Sequence, residues 1–191
     1  MIRGGGMGAG RANDGCYDYI FPANGANTPV EILENDTPLI VERRELRADS
    51  GGPGRTKGGL GRREVFRVPA DQHAPIPPVC LGIQSGRFRY PPQGLFGGAP
   101  GALARFVVND EAGNPYGLTQ LAPGDVVIMD AAGGGGYGDA FERDPDMVVE
   151  DVAQGYVTLE AAQRDYGVVI DRESMVVDEA ATAAVRRGRR R

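Results

Sequence analysis

Four consecutive glycines, at residues 133–136, constrain the fold more than any other stretch of this chain. Without a Cβ atom, the backbone can adopt positive φ there or approach another group closely. Such a run forms neither a stable helix nor a good strand. A strand-like stretch precedes it and a capped helix is predicted to follow it, so we expect a flexible loop between two regular elements. Loops of this kind often carry function, although a surface turn or a bulge-rich crossover explains the pattern at least as well.

Glycine and proline are frequent throughout, with 30 glycines and 14 prolines among 191 residues. They are not periodic, which excludes collagen, and they predict many turns and short elements. Residues 1–16, 49–61 and 91–101 are therefore predicted to be loops. Residues 49–61 are basic, and we expect them to form a solvated loop. Anion binding through their main-chain N–H groups is the alternative.

Apolar alternation and short apolar runs predict a mainly β body before residue 141. The predicted strands lie at residues 17–21, 29–34, 39–46, 64–68, 79–83, 103–108 and 125–130.

Capping signals predict three helices after the glycine run. Asp144 followed by Pro145 starts the first, Thr158 starts the second, which ends at Gly167, and Asp178 caps the third. Residues 168–170 and 175–177 are expected to form a small hairpin. The predicted fold class is therefore α+β. A sandwich- or barrel-like, glycine-rich body spans residues 1–140, and a helical cap with a basic tail spans 141–191.

Composition excludes several classes of protein. The net charge of −5 argues against a general nucleic-acid binder. The arginines at residues 186–191 indicate a solvated tail, with an RNA or membrane-surface contact as the minor alternative. No run approaches eighteen apolar residues, so no membrane span is predicted. Cys16 and Cys80 are too few for a disulfide framework and indicate a cytoplasmic protein. His73, the only histidine, completes neither a metal site nor a Ser–His–Asp triad.

Several short motifs occur in an order that one enzyme family shares. They lie at residues 4–9 with 14–15, 27–34, 38–47, 49–54 with 58–61, 91–98, 123–125, 133–139 with 142–145, and 165–169. In these motifs the chain resembles the C-terminal part of the hydantoinase B/oxoprolinase family. This family includes the B subunit of N-methylhydantoinase and subunits of acetone-type carboxylases. The resemblance covers nearly the whole chain.

The resemblance implies a part in the ATP-dependent ring opening of a cyclic amide such as a hydantoin or 5-oxoproline. In carboxylase relatives the acceptor is a ketone. No cofactor is expected on this chain alone, and ATP and a divalent metal are expected on partner chains. Those partners are a hydantoinase A-type ATP-binding subunit and the remaining N-terminal part of a B-type subunit, where the family's metal ligands lie. The chain is thus expected to be a split subunit or a truncated relic that is inactive alone. A non-catalytic assembly or scaffold module is the alternative.

Six residues in the matching motifs are candidates for a shared site: Asn27, Glu31, Asp49, Arg55, Tyr137 and Asp139. The first two are expected to make polar contacts near that site, the second pair to position an anionic intermediate, and the last pair to shape the glycine run. Turn stabilisation or helix capping explains each of them equally well. No catalytic or metal-binding residue is assigned.

Overall fold

The computed structural model describes residues 4–20, 25, 27–70, 78–83 and 86–189. The helices are α1 (Val30–Asp36), α2 (Pro145–Ala153), α3 (Leu159–Tyr166) and α4 (Glu179–Gly188), with a short 3₁₀ helix at Ala140–Glu142. The strands are β1 (Ile40–Leu46), β2 (Arg62–Arg67), β3 (Val79–Gly82), β4 (Arg105–Val108), β5 (Glu111–Ala112), β6 (Leu118–Leu121) and β7 (Val126–Asp130). None of the helices in these ranges has the length and apolar character needed to cross a membrane.

An antiparallel sheet with the strand order β1-β2-β7-β4-β5 forms the β part of the fold, and β3 pairs separately with β6. Phe66 on β2 lies opposite Val127 on β7, and both are buried on one face of the sheet with Phe106. Leu33 of α1 and Leu121 of β6 pack against this face. The structure confirms the predicted α+β class with a predominance of β structure.

Four segments without helix or strand pack against one another, and we call them the glycine core: residues 4–9, 50–61, 92–102 and 131–138. Backbone hydrogen bonds join them directly. The N–H group of Gly134 donates to the carbonyl of Gly59 at 2.9 Å, and that of Gly52 donates to the carbonyl of Gly134 at 2.8 Å. The N–H groups of Gly6 and Gly136 donate to Ala132 and Ala99 in the same way. Residues 133–136 are all buried, so the expectation of a flexible loop is wrong.

Close approach, rather than unusual backbone conformation, explains the glycine run. A Cβ atom on Gly133 would lie 1.7 Å from the carbonyl oxygen of Ser50, and one on Gly134 would lie 1.9 Å from that of Met7. Neither glycine has a positive φ. A Cβ needs roughly 3.4 Å of free space, so only glycine permits the neighbouring backbones to meet and exchange hydrogen bonds.

The helices after the glycine core begin where their caps predict. The Asp144 carboxylate accepts from the N–H of Asp146, and the Thr158 and Asp178 side chains cap α3 and α4. Gly167 ends α3 with a φ of +63°. The 3₁₀ helix, α2, α3 and the segments next to them share a small apolar core of their own, formed by Ala140, Val148, Val157, Ala161, Ala162, Tyr166 and Val168. The division of the chain at residue 140 stays a prediction.

Several local predictions are wrong or incomplete. Residues 29–34 were predicted as a strand, but residues 30–34 belong to α1. In this helix Leu33 faces the core and is buried, whereas Ile32 is exposed to solvent. Strands β5 and β6 were not predicted. Of the strand predicted at residues 17–21, Tyr19 forms only an isolated bridge with Gly5, and residue 21 lies outside the described residues. Of the predicted hairpin, the bridge between Ile170 and Val177 is present.

Candidate functional site

Three of the six candidate residues meet at one end of the glycine core. Tyr137 exchanges backbone hydrogen bonds with Thr56, at 3.0 and 3.1 Å. The neighbouring Arg55 donates its N–H to the carbonyl of Gly138 at 3.3 Å. On its other side Tyr137 forms a parallel bridge with Leu95. We call Arg55, Leu95, Phe96, Tyr137 and Asp139 the core rim.

Phe96 is the most unusual residue of the core rim. Its ring centroid lies 4.9 Å from that of Tyr137, yet 78% of the residue is exposed. Phe96 and Gly97 have φ values of +52° and +96°, and the N–H of Gly98 donates to the carbonyl of Leu95, as in a type I′ turn. A positive φ at a bulky residue costs about 1–3 kcal/mol. The fold thus holds a strained, exposed aromatic residue beside the candidates. Sequence reasoning missed it, although its motif at residues 91–98 was noted.

A cleft of about 490 Å³ adjoins the core rim at Asp139. The Asp139 carboxylate accepts from the N–H of Phe141 at 3.0 Å and lies 3.4 Å from the Arg189 guanidinium. Arg189 in turn lies 4.2 Å from the centroid of the Phe141 ring. Asp139 therefore caps the 3₁₀ helix, which is the helix-capping role given above as the alternative to a site role. It also faces a cleft that carries basic side chains from α4, including Arg186 and Arg187.

Within the described part of the chain, the side chains of the other three candidates make no hydrogen bond to a residue of the core rim. Asn27 donates its side-chain amide to Asp18 at 2.8 Å. Glu31 is exposed in the first turn of α1. The two carboxylate oxygens of Asp49 accept from the N–H and the hydroxyl of Thr158, both at 2.8 Å, and so hold the start of α3. Their functional assignment stays a prediction.

A buried network of four charged side chains joins the glycine core to α2. The Lys57 ammonium lies 2.5 Å from Asp151, and the Arg143 guanidinium donates to Asp14 at 2.7 and 2.9 Å and to Asp151 at 2.9 Å. Lys57 is 0% exposed, so the expectation of a fully solvated basic loop is wrong, although Arg55 nearby is exposed. The Lys57 ammonium lies 5.3 Å from the ring centroid of Tyr17 and 5.0 Å from that of Tyr156, so two aromatic rings flank it.

Burial lowers the pKa of the Lys57 ammonium, while the hydrogen bond and charge of Asp151 oppose that change. Two cations and two carboxylates make the network neutral, which is the condition for keeping charges away from water. Sequence reasoning missed this network. The available signal was Asp151, a carboxylate on the same buried face of α2 as Val148.

No group of three or more His, Cys, Asp or Glu side chains in the described part of the chain has an arrangement that could hold a metal ion. His73 lies outside the described residues.

Comparison with known proteins identifies relatives. The sequence profile described as hydantoinase B/oxoprolinase matches residues 1–140. An uncharacterized protein of Methanocaldococcus jannaschii is 36% identical over 84% of this chain and 28% of its own length. Caprolactamase subunit beta of Pseudomonas jessenii is 35% identical over 95% of this chain and 32% of its own length.

The fold also matches solved structures of such enzymes. The nucleotide-free structure of acetone carboxylase superposes with a TM-score of 0.76 at 27% identity, covering 98% of this chain and 30% of that one. The ATP-dependent caprolactamase from Pseudomonas jessenii gives a TM-score of 0.72 at 30% identity, covering 96% of this chain and 32% of the other. This chain thus spans about a third of the length of these relatives.

Proposed function

The chain belongs to the hydantoinase B/oxoprolinase family, and on that premise we propose that it is one part of a multi-chain enzyme that opens a cyclic amide in an ATP-dependent reaction. The observation that carries the proposal is the family match, together with the likeness to an ATP-dependent caprolactamase, whose substrate name denotes a cyclic amide. Hydantoins, 5-oxoproline and lactams all contain a cyclic amide. The proposal therefore names this class of substrate and not one particular compound.

In this proposal the chain contributes a rigid wall to a site completed by other chains. The glycine core fixes the rim backbone, which keeps Arg55, Tyr137 and Asp139 in place without relying on a flexible loop. Arg55 is exposed and carries a guanidinium suited to an anionic intermediate. ATP is assigned to an A-type subunit, and the divalent metal to the remaining part of a B-type subunit. We also place the complex in the cytoplasm, in keeping with the free cysteines Cys16 and Cys80.

Reconstitution tests the proposal. This chain is mixed with an A-type subunit and the remaining B-type part from the same organism, and ATP-dependent ring opening of hydantoin, 5-oxoproline and caprolactam is measured. We expect turnover only when all chains are present. Full turnover without this chain would refute the proposal.

Variants then separate a site role from a scaffold role. Arg55→Ala should lower turnover by tenfold or more if the guanidinium contacts the reacting species, because a charge-assisted hydrogen bond contributes about 1.5–3 kcal/mol. The matched control is Arg172→Ala, which removes an exposed arginine whose ion-pair partner among the described residues is the exposed Glu160. If Arg55→Ala and Asp139→Ala both retain full activity in a complex that still requires the chain, the non-catalytic assembly module is the better account.

A second candidate function is a subunit of an acetone-type carboxylase, which the TM-score of 0.76 with acetone carboxylase favours. The same reconstituted complex distinguishes the two functions. Labelled bicarbonate incorporated into a ketone with ATP consumption indicates a carboxylase, whereas ring-opened product without incorporation indicates the amidohydrolase.

A further inference from the structure

Asp130 is a buried carboxylate at the junction between the sheet and the glycine core. It ends β7, and its direct neighbours across the sheet are Arg63 on β2 and Arg105 at the start of β4. Arg47 directly follows β1, at the same end of the strands as Arg63 and Asp130. We call Arg47, Arg63 and Arg105 the arginine cluster.

All three guanidiniums approach the one carboxylate. Arg63 binds it through two hydrogen bonds of 2.7 and 2.9 Å, while nitrogens of Arg47 and Arg105 lie 3.8 and 3.9 Å from its Oδ2 atom. The Asp130 side chain is 0% exposed. Burial favours a higher pKa for this carboxyl, but the hydrogen bonds from Arg63 and the three positive charges hold the pKa below its usual value. Asp130 is therefore an ionised anchor for the arginines.

Positive charge remains in excess around this anchor. Glu45 lies opposite Arg63 across β1 and β2, and it is also 3.7 Å from Arg43. Among the ion pairs and strand neighbours of the described residues, four guanidiniums thus meet two carboxylates, which leaves two positive charges in excess within this set, in a chain whose net charge is −5. Burial lowers the pKa of Arg47; Asp130 opposes this shift, and the charges of Arg63 and Arg105 add to it.

Unused hydrogen-bond donors also remain. Arg63 gives Nε and Nη2 to Asp130, and Arg47 gives Nη1 to the carbonyl of Leu103 at 2.7 Å. The Arg105 side chain is 55% exposed, and no hydrogen bond from its guanidinium is present within the described part of the chain. A guanidinium has five N–H donors in a planar fork that fits the oxygens of carboxylates and phosphates.

We propose that the arginine cluster is a binding site for an oxyanion of the phosphate or carboxylate class, held by Arg105, Arg63 and Arg47 above their shared anchor Asp130. The anion compensates the excess charge and uses the exposed donors, while Asp130 keeps the guanidiniums together before binding. The site shares no residue with the core rim and does not depend on the function proposed above.

Titration of the purified chain with inorganic phosphate tests this site. Arginine side-chain ¹⁵N resonances are followed at constant ionic strength, with chloride replaced stepwise. We expect saturable shifts at Arg47, Arg63 and Arg105, whereas Arg172, an exposed arginine on another surface, shifts little and without saturation. A parallel titration with acetate assigns the class: tighter phosphate binding indicates phosphates, and tighter acetate binding indicates carboxylates.

The decisive variant is Arg105→Gln, which removes the most exposed of the three charges. It should weaken anion binding by about tenfold or more, as expected for one charge-assisted contact, while Arg172→Gln leaves it unchanged. Should Arg105→Gln fail to fold, Arg105→Lys keeps the charge but not the fork, and should weaken binding by a smaller factor. The proposal is overturned if neither anion saturates, or if folded Arg105 variants bind as tightly as the wild type.

Discussion

Replacing Gly134 by alanine should destabilise this protein more than almost any other single methyl group added to the chain. The new Cβ would lie 1.9 Å from the carbonyl oxygen of Met7 and 2.7 Å from the N–H nitrogen of Gly8. Both contacts are with backbone, so relief requires one segment of the glycine core to move by more than about 1 Å, given that real Cβ contacts fall near 3.4 Å.

That movement breaks hydrogen bonds that cross the glycine core. Gly134 donates to Gly59 at 2.9 Å and accepts from Gly52 at 2.8 Å. Losing two such bonds costs about 1 kcal/mol each. Overpacking a rigid site adds about 1–3 kcal/mol. The sum of about 3–5 kcal/mol is a large part of the roughly 5–15 kcal/mol by which a domain is stable.

The assay is urea unfolding followed by tyrosine fluorescence and circular dichroism, which suits a chain with seven tyrosines and no tryptophan. Alanine also stiffens the unfolded chain, a gain of about 0.4–1 kcal/mol that any Gly→Ala change brings. Gly188→Ala controls for it, because a Cβ there has no neighbour within 4 Å and its φ is not positive. We expect Gly188→Ala to be neutral or slightly stabilising. A Gly134→Ala variant within about 1 kcal/mol of the wild type would refute close backbone packing as the reason for the glycine run.

Three further predictions concern the charged side chains and the strained turn. Asp151→Asn should lower the free energy of unfolding, measured with urea, by about 3–5 kcal/mol, because Lys57 loses its buried counter-charge. The double variant Asp151→Asn, Lys57→Met should lose less stability than the two single variants added together, and strict additivity would contradict this prediction. The pKa of the Asp130 carboxyl is lowered in the folded state, so the stabilisation that ionised Asp130 provides should be complete above about pH 4 and decline as the pH falls further. The difference in unfolding free energy between wild type and Asp130→Asn should therefore narrow below that pH. A constant difference between pH 7 and pH 3 would argue against this stabilisation. Phe96→Asn should leave the melting temperature of the isolated chain unchanged or raise it, because asparagine tolerates positive φ. The same variant should lower turnover in the reconstituted complex. A clear loss of stability would instead indicate a structural role for Phe96.

Local signals in the sequence were sufficient for much of the fold. Asp144 with Pro145, Thr158 with Gly167, and Asp178 each act within a few residues of their own position, so they predict helix ends without knowledge of the rest of the chain. Apolar runs likewise predicted most strands of the sheet. Strands β5 and β6 were not predicted, and α1 was predicted as a strand because of Val30 and Ile32. Leu33 of α1 packs against the sheet, which is a tertiary contact.

The candidate site was only partly predictable for the same reason. Arg55, Tyr137 and Asp139 could be chosen from motifs, but their shared rim depends on contacts between residues 42 to 83 positions apart. The ion-pair partners of Lys57 and of Asp130 are also distant in sequence, at 94 and 67 positions. Motifs and charge therefore indicated candidate residues in the sequence. Only the three-dimensional structure showed which residues contact them.

The glycine run shows where the boundary lies. The sequence by itself determined the family, the mainly β class and the positions where no side chain is tolerated. It could not distinguish two reasons for glycine, freedom of φ or close approach, because both require only the absence of a Cβ. Tertiary structure decided for close approach. Three other backbone segments surround residues 133–136 and hydrogen-bond to them, so the expected flexible loop is instead a buried, closely packed segment.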